Sequence, residues 1–221
     1  MCDFSCYGGI SKEWLAVEAA SPTPPQSGKM DPVEMRNDAN ASREAMAAEL
    51  LPAFVDKVGL IDVSVQARDG FTLEGRLCWP KSGKGPALYM HLHGGGYLFG
   101  TLSSEDAICA GPAIRTAAQM PTVVLNLNYR HTLEYVYPTA WLDVQDALAW
   151  IHAVALPEYG IDPARVVVGG ISTGANLAAA LVLEQHLGRL PQQQQQQQQQ
   201  LPVISGQVLM SPSLVHCEET M

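Results

Sequence analysis

From Pro86 to Met210 the chain alternates short apolar runs with longer stretches of helical periodicity, and this alternation restricts its fold more than any other feature. "PALYMHLH", "PTVVLNLNYR", "ARVVVGG" and "PVISGQVLM" have strand length and are apolar through much of it. Between them lie "SEDAICAGPAIRTAAQM", with Ser103 or Ser104 as the expected N-cap, and "TAWLDVQDALAWIHAVA", with Val144, Ala147, Leu148 and Ile151 at helical spacing. "TGANLAAALVLEQHLGRL" is the third predicted helix. Apolar strands alternating with helices specify an α/β fold, a mostly parallel sheet with helices on both faces. Upstream, "LIDVSVQARDGFTLEGRLCWP" carries two alternating runs around Asp69-Gly70, a hairpin signature in which the Asp-Gly pair supplies positive-φ residues.

The remaining chain is organised around this unit. Residues 1–54 hold the linker-like "SPTPPQSGKMDP" and then a helical stretch, "DPVEMRNDANASREAMAAELLPAF". Gln192–Gln200 is a run of nine glutamines, expected as a solvated loop because it offers nothing to a core. A net charge of −9 argues against nucleic acid as a partner. No apolar run reaches membrane-spanning length, and the first residues lack the basic and apolar regions of a signal peptide. Five cysteines without a C-x-x-C pair read as free thiols, which makes the cytoplasm the expected compartment.

Two motifs carry chemistry. Gly170-Ile171-Ser172-Thr173-Gly174 fits G-x-S-x-G between a predicted strand and a predicted helix. There a serine on a sharp turn exposes its hydroxyl, flanking glycines give the turn room, and the helix N-terminus favours negative charge. Upstream, His93-Gly94-Gly95-Gly96 ends another predicted strand. Acyl transfer needs donors for an oxyanion, and a glycine run lets backbone N–H groups approach one. The N–H of Thr173, directly after the serine, would be a further donor. Competing readings are weaker. His91 and His93 form an H-x-H pair with no further ligand at metal spacing, so no metal is expected. "GGGYLFG" lacks the third glycine of a dinucleotide fingerprint, so no cofactor is expected either.

These motifs resemble the hormone-sensitive-lipase-like branch of the α/β-hydrolases, and within it the esterases of filamentous fungi, over roughly residues 55–215. In "NYRHTLEYVYP", Tyr129, Arg130, Glu134, Tyr137 and Pro138 fit the family pattern, whereas Asn128, His131, Thr132 and Leu133 depart from it. At the serine, Ser172, Gly174, Asn176 and Leu177 fit, and Ile171, Thr173 and Ala175 depart. The resemblance implies Ser172 as nucleophile and the amides of Gly94, Gly95 and Thr173 as oxyanion hole, with His93, Gly96, Gly170 and Gly174 supporting the motifs. It implies residues 1–54 as an N-terminal segment with cap-like helices shaping an apolar acyl pocket, and 55–221 as a partial α/β-hydrolase core with its C-terminal strands missing. Substrates would be small acyl esters or lactones, in a setting such as fungal secondary metabolism.

A triad of this type runs Ser, acid, His along the chain. After Ser172 come only Glu184, His186, His216, Glu218 and Glu219, with Glu184 and His186 in the helix leaving the serine. The family places its acid and histidine on later loops, so the resemblance implies that they belong to a region beyond Met221. "PVISGQVLM" would then be an open edge through which copies associate or aggregate. Two alternatives share these residues: a catalytically incomplete remnant or ligand-binding protein, and an arylformamidase-type amide hydrolase.

Overall fold

The computed structural model describes residues 9–20, 31–81, 86–117, 119–190 and 203–214. The glutamine run, most of the linker-like stretch, and His216, Glu218 and Glu219 lie outside the described residues. The chain divides into two units, Met1–Asp31 and Pro32–Met221. The first holds helix α1 (Lys12–Ala20).

The described residues of the second unit form six strands: β1 (Val58–Gln66), β2 (Thr72–Pro80), β3 (Ala87–Leu92), β4 (Thr122–Asn128), β5 (Val166–Ile171) and β6 (Ile204–Met210), in the order β1-β2-β4-β3-β5-β6. β1 pairs with β2 and β2 with β4 antiparallel, and the other pairings are parallel. The hairpin closes at Gln66↔Thr72. Its Asp-Gly pair divides the work differently from the expectation: only Gly70 has positive φ, at 87°. Asp69 contributes its carboxylate instead, which accepts the Phe71 N–H at 3.1 Å, because an Asx turn needs only a local acceptor.

The helices are α2 (Pro32–Leu50), α3 (Leu102–Thr116), α4 (Thr139–Trp150), α5 (Leu156–Tyr159) and α6 (Thr173–His186). A wider π turn over Ile151–Ala155 joins α4 to α5, and Gly160 ends the run in the left-handed conformation. Neither Ser103 nor Ser104 caps α3. Thr101 does, its hydroxyl accepting the Ser104 N–H while the Ser104 hydroxyl accepts the Thr101 N–H, both at 3.1 Å. The serine is the returning half of a capping box.

Side-chain alternation on the central strands divides the core between the two faces. Leu88, Met90, Leu92, Val123, Leu125 and Leu127 point to the cluster built on α4 and α6, which includes fully buried Val144, Ala147, Leu148 and Ile151. Tyr89 and Val124 point to the smaller cluster with Cys109, Ala110 and Ala113 of α3. Cys78 and Cys109 are free, and burial pushes the Cys78 thiol up to about 12 and Cys109 well above its ordinary value. Among the described residues β6 pairs on one side only, with β5, and leaves Val208 45% exposed. No described helix is long and apolar enough to cross a membrane.

Helix α2 has only one buried residue, Ala47. The face it turns inward is polar: Arg36, Asn40, Arg43 and Glu44, at i, i+4, i+7 and i+8, all bond to chain beyond Phe54.

Candidate active site

Ser172 stands between β5 and α6 with φ 52° and ψ −114°, a backbone conformation that non-glycine residues seldom adopt. Both sides hold it there. Its N–H donates to Met210 O at 2.9 Å, and its carbonyl accepts the Asn176 N–H at 3.0 Å. The flanking glycines let this turn press against the end of β3. A Cβ on Gly170 would overlap the Leu92 carbonyl oxygen, and one on Gly174 would overlap the carbonyl oxygens of Leu92 and His93.

The glycine run arrives at the same place. A Cβ on Gly94 would lie 2.9 Å from Ile171 O and 3.4 Å from Ser172 Cβ, so this loop and the serine turn are in direct contact. Gly95 has φ 135°, with Phe99 O where a Cβ would stand, and its carbonyl accepts from Leu98 and Phe99 N–H. Gly96, at φ 63°, faces open space, so only conformation demands glycine there. Among the described residues no acceptor takes the N–H of Gly94, Gly95 or Thr173. The geometry therefore gathers unspent donors around one half-buried serine at the start of a helix.

His93 supports the loop rather than lining it. It is fully buried and stacks on Tyr129, centroids 4.3 Å apart, while the Tyr129 hydroxyl donates to His93 O at 2.7 Å. Its Nδ1 lies 3.0 Å from Gly94 O and its Nε2 3.3 Å from the Nε2 of His131. Burial and then the neighbouring His131 hold His93 down to about 3; burial and then Arg36 hold His131 down to about 4. His91 has a separate partner: its Nε2 donates to Glu105 at 2.8 Å on the α3 face. Burial alone would raise the Glu105 carboxyl, but the His91 hydrogen bond and the nearby Arg43 charge outweigh it and lower it. Among the described residues no three potential ligands gather for a metal.

The α2 contacts went unforeseen. Arg43 donates to Gly94 O at 3.1 Å and to the Glu105 carboxylate, and Asn40 accepts the Gly100 N–H at 2.9 Å. Glu44 accepts the Thr101 hydroxyl at 2.6 Å, and Arg36 grips Glu134 with two nitrogens, at 2.9 and 2.8 Å. A helix with polar residues at i, i+4, i+7 and i+8 reads as solvent-facing in sequence, which hid this role.

A cavity of about 530 Å³ opens one helical turn beyond Ser172. Tyr97, Tyr135, Tyr137, Trp141, Asn176 and Leu177 are among its walls. Its two charged residues are already paired: Arg130 with Asp143 and Asp69, and Glu184 with Arg189. The Ser172 hydroxyl has no hydrogen bond to a histidine or carboxylate among the described residues. Glu184 and His186 lie well down α6, the latter roughly 20 Å along the axis from Ser172.

Comparison with known proteins bears on the family and the fold. The family model described as alpha/beta hydrolase fold matches residues 89–221. The chain is 34% identical over 154 residues to the carboxylic ester hydrolase LipN of Mycobacterium tuberculosis, covering 69% of this chain and 40% of that protein. It is 36% identical over 163 residues to the ethyl acetate hydrolase of Pseudomonas putida, covering 70% of this chain and 49% of that protein. Among solved structures, a bacterial heroin esterase superposes with a TM-score of 0.68 at 30% identity, over 94% of this chain and 59% of the other. The chain thus spans about half the length of the relatives it matches.

Proposed function

The chain belongs to the alpha/beta hydrolase fold family, and from that premise we propose that it carries the nucleophile and oxyanion hole of a serine hydrolase acting on carboxylic esters. The observation that carries this reading is the contact between Gly94 and the strained turn at Ser172, which sets free backbone donors beside the serine. In this mechanism Ser172 Oγ attacks the ester carbonyl carbon and loses its proton to a base. The carbonyl oxygen becomes an oxyanion facing the N–H groups of Gly94, Gly95 and Thr173. Collapse expels the alcohol, which takes the proton, and water then releases the acid from the acyl-serine. The base and its orienting acid come from outside the described residues. His93 cannot serve, since both of its nitrogens are engaged by Gly94 O and His131.

Substrates are small, uncharged acyl esters or lactones, such as occur in secondary metabolism. The paired charges and aromatic walls of the cavity support that class, as do the names of the ethyl acetate hydrolase and heroin esterase relatives. A second reading, a ligand-binding protein of hydrolase fold, is favoured by the lack, among the described residues, of a base hydrogen-bonded to Ser172. Incubation with p-nitrophenyl acetate separates the two. Acetylation of Ser172, seen by peptide mass and absent in Ser172→Ala, is the result expected of the hydrolase. No acetylation, with retained binding of an aryl ester, would favour the second reading.

A further inference from the structure

We propose that Arg43 is a positioning residue for the oxyanion hole: by holding the Gly94 carbonyl toward α2, it turns the Gly95 N–H the opposite way, toward the reacting oxygen. The proposal rests on the Ser172 reading above. A peptide unit is planar and trans, so the carbonyl of Gly94 and the N–H of Gly95 belong to one rigid plate and point in opposite directions. Fixing one fixes the other.

The plate would not fix itself. Its orientation depends on ψ of Gly94 and φ of Gly95, and neither residue has a Cβ to bar rotation. Hydrogen bonds must therefore choose the orientation. Gly94 O receives two, from Arg43 Nη1 at 3.1 Å and from His93 Nδ1 at 3.0 Å, which occupies both of its lone pairs. On the other side of the plate the Gly95 N–H meets no acceptor among the described residues. Gly94 also meets the serine turn at its Cα, where an added Cβ would lie 2.9 Å from Ile171 O.

Arg43 is itself held rigidly. Its second nitrogen donates to Glu105, whose side chain is fully buried and is also bonded by His91 and the Ser104 hydroxyl. Its guanidinium lies 5.4 Å from the centre of the Phe99 ring. A planar fork with one prong on Glu105 has the direction of its other prong determined, which an ammonium would not provide.

The test uses the full chain labelled with ¹³C-carbonyl and ¹⁵N glycine. A carbonyl-to-amide correlation then detects only amides that follow a glycine: Gly9, Gly95, Gly96 and Gly170. The double variant Arg43→Met/Glu105→Gln removes the donor without leaving a buried charge unpaired. Its Gly94 carbonyl and Gly95 amide signals should move or broaden while those of Gly9 and Gly170 stay. Glu44→Ala, which removes a neighbouring α2 bond to Thr101 but leaves Arg43 on Glu105 and Gly94, should leave all four in place. An unmoved Gly95 signal in the folded double variant overturns the proposal. If that variant does not fold, Arg43→Lys replaces it, with the same expected movement and the same overturning result.

Kinetics form the second arm. For p-nitrophenyl acetate, kcat should fall at least tenfold in the double variant with KM changed less than twofold, since the lost donor acts on the oxyanion. Equal losses in the double variant and Glu44→Ala would overturn the positioning role. If wild-type Ser172 does not acylate at all, the hydrolase reading fails, and the glycine signals alone decide whether Arg43 sets the peptide.

Discussion

His131 places its Nε2 3.3 Å from the Nε2 of His93, and only one of these two nitrogens can carry the proton between them. Gly94 O can only accept, so the proton of His93 sits on Nδ1 and its Nε2 is a bare acceptor. His131 must therefore be the donor. The glycine loop thus rests on this imidazole pair: His93 must be uncharged for its Nε2 to accept, and burial and Arg36 hold the His131 pKa down as well.

This arrangement sets a pH dependence of stability. Unfolded, both imidazoles titrate near 6.5; folded, they are held down to about 3 and about 4. Between those values the unfolded chain binds more protons, so stability falls as pH drops from 6.5 toward 4 and is fully present above 6.5. Urea unfolding at pH 7.5, 5.5 and 4.5 measures the slope. His131→Gln, which keeps a donor but cannot titrate, should flatten it; an identical slope in wild type and variant would refute the pairing.

The glycines at the site are not equivalent, and substitution should separate them. A Cβ on Gly174 overlaps two carbonyl oxygens at the end of β3, neither of which can retreat without disturbing the sheet. Gly174→Ala should destabilise the chain by about 3 kcal/mol or more, an overpacking effect at the severe end. Gly96 faces open space and needs glycine only for its φ of 63°. Gly96→Ala should cost about 1 kcal/mol. Chemical denaturation of the two variants checks the ranking, and a larger loss at Gly96 would contradict it.

Among the described residues one side of β6 has no strand partner, which makes it a template for another strand. Val208 is 45% exposed on a strand that pairs only with β5 among the described residues. Sedimentation velocity should show concentration-dependent association of the chain. Val208→Lys, placing a charge of the kind natural edges use, should shift it toward monomer. Association unchanged by that lysine would locate the contact elsewhere.

The local motifs were readable because each depends on residues close in the chain. β3, β4 and β5 announced themselves as apolar runs between helices, and the serine turn needed only Gly170 and Gly174 around Ser172. The α3 cap, Thr101, lies two or three residues before the serines the sequence offers, since several hydroxyls in a row compete and only the extended backbone at Thr101 selects it. The turn falls at Asp69-Gly70 as the sequence predicts, but Asp69 acts through its carboxylate and only Gly70 through positive φ.

Sequence alone determined the layered α/β fold and located a tight serine turn and a glycine run, because hydrophobic periodicity and backbone sterics act over a few residues. Tertiary structure decided what holds that run in place. Arg43 bonds Gly94 across 51 positions, and His131 meets His93 across 38. Neither partner bears a local signal, for α2 reads as a polar helix and His131 as a departure from a family pattern. A hydrogen bond between distant residues exists only once the packing of the sheet and its helices has set their separation, and no short-range pattern encodes that distance.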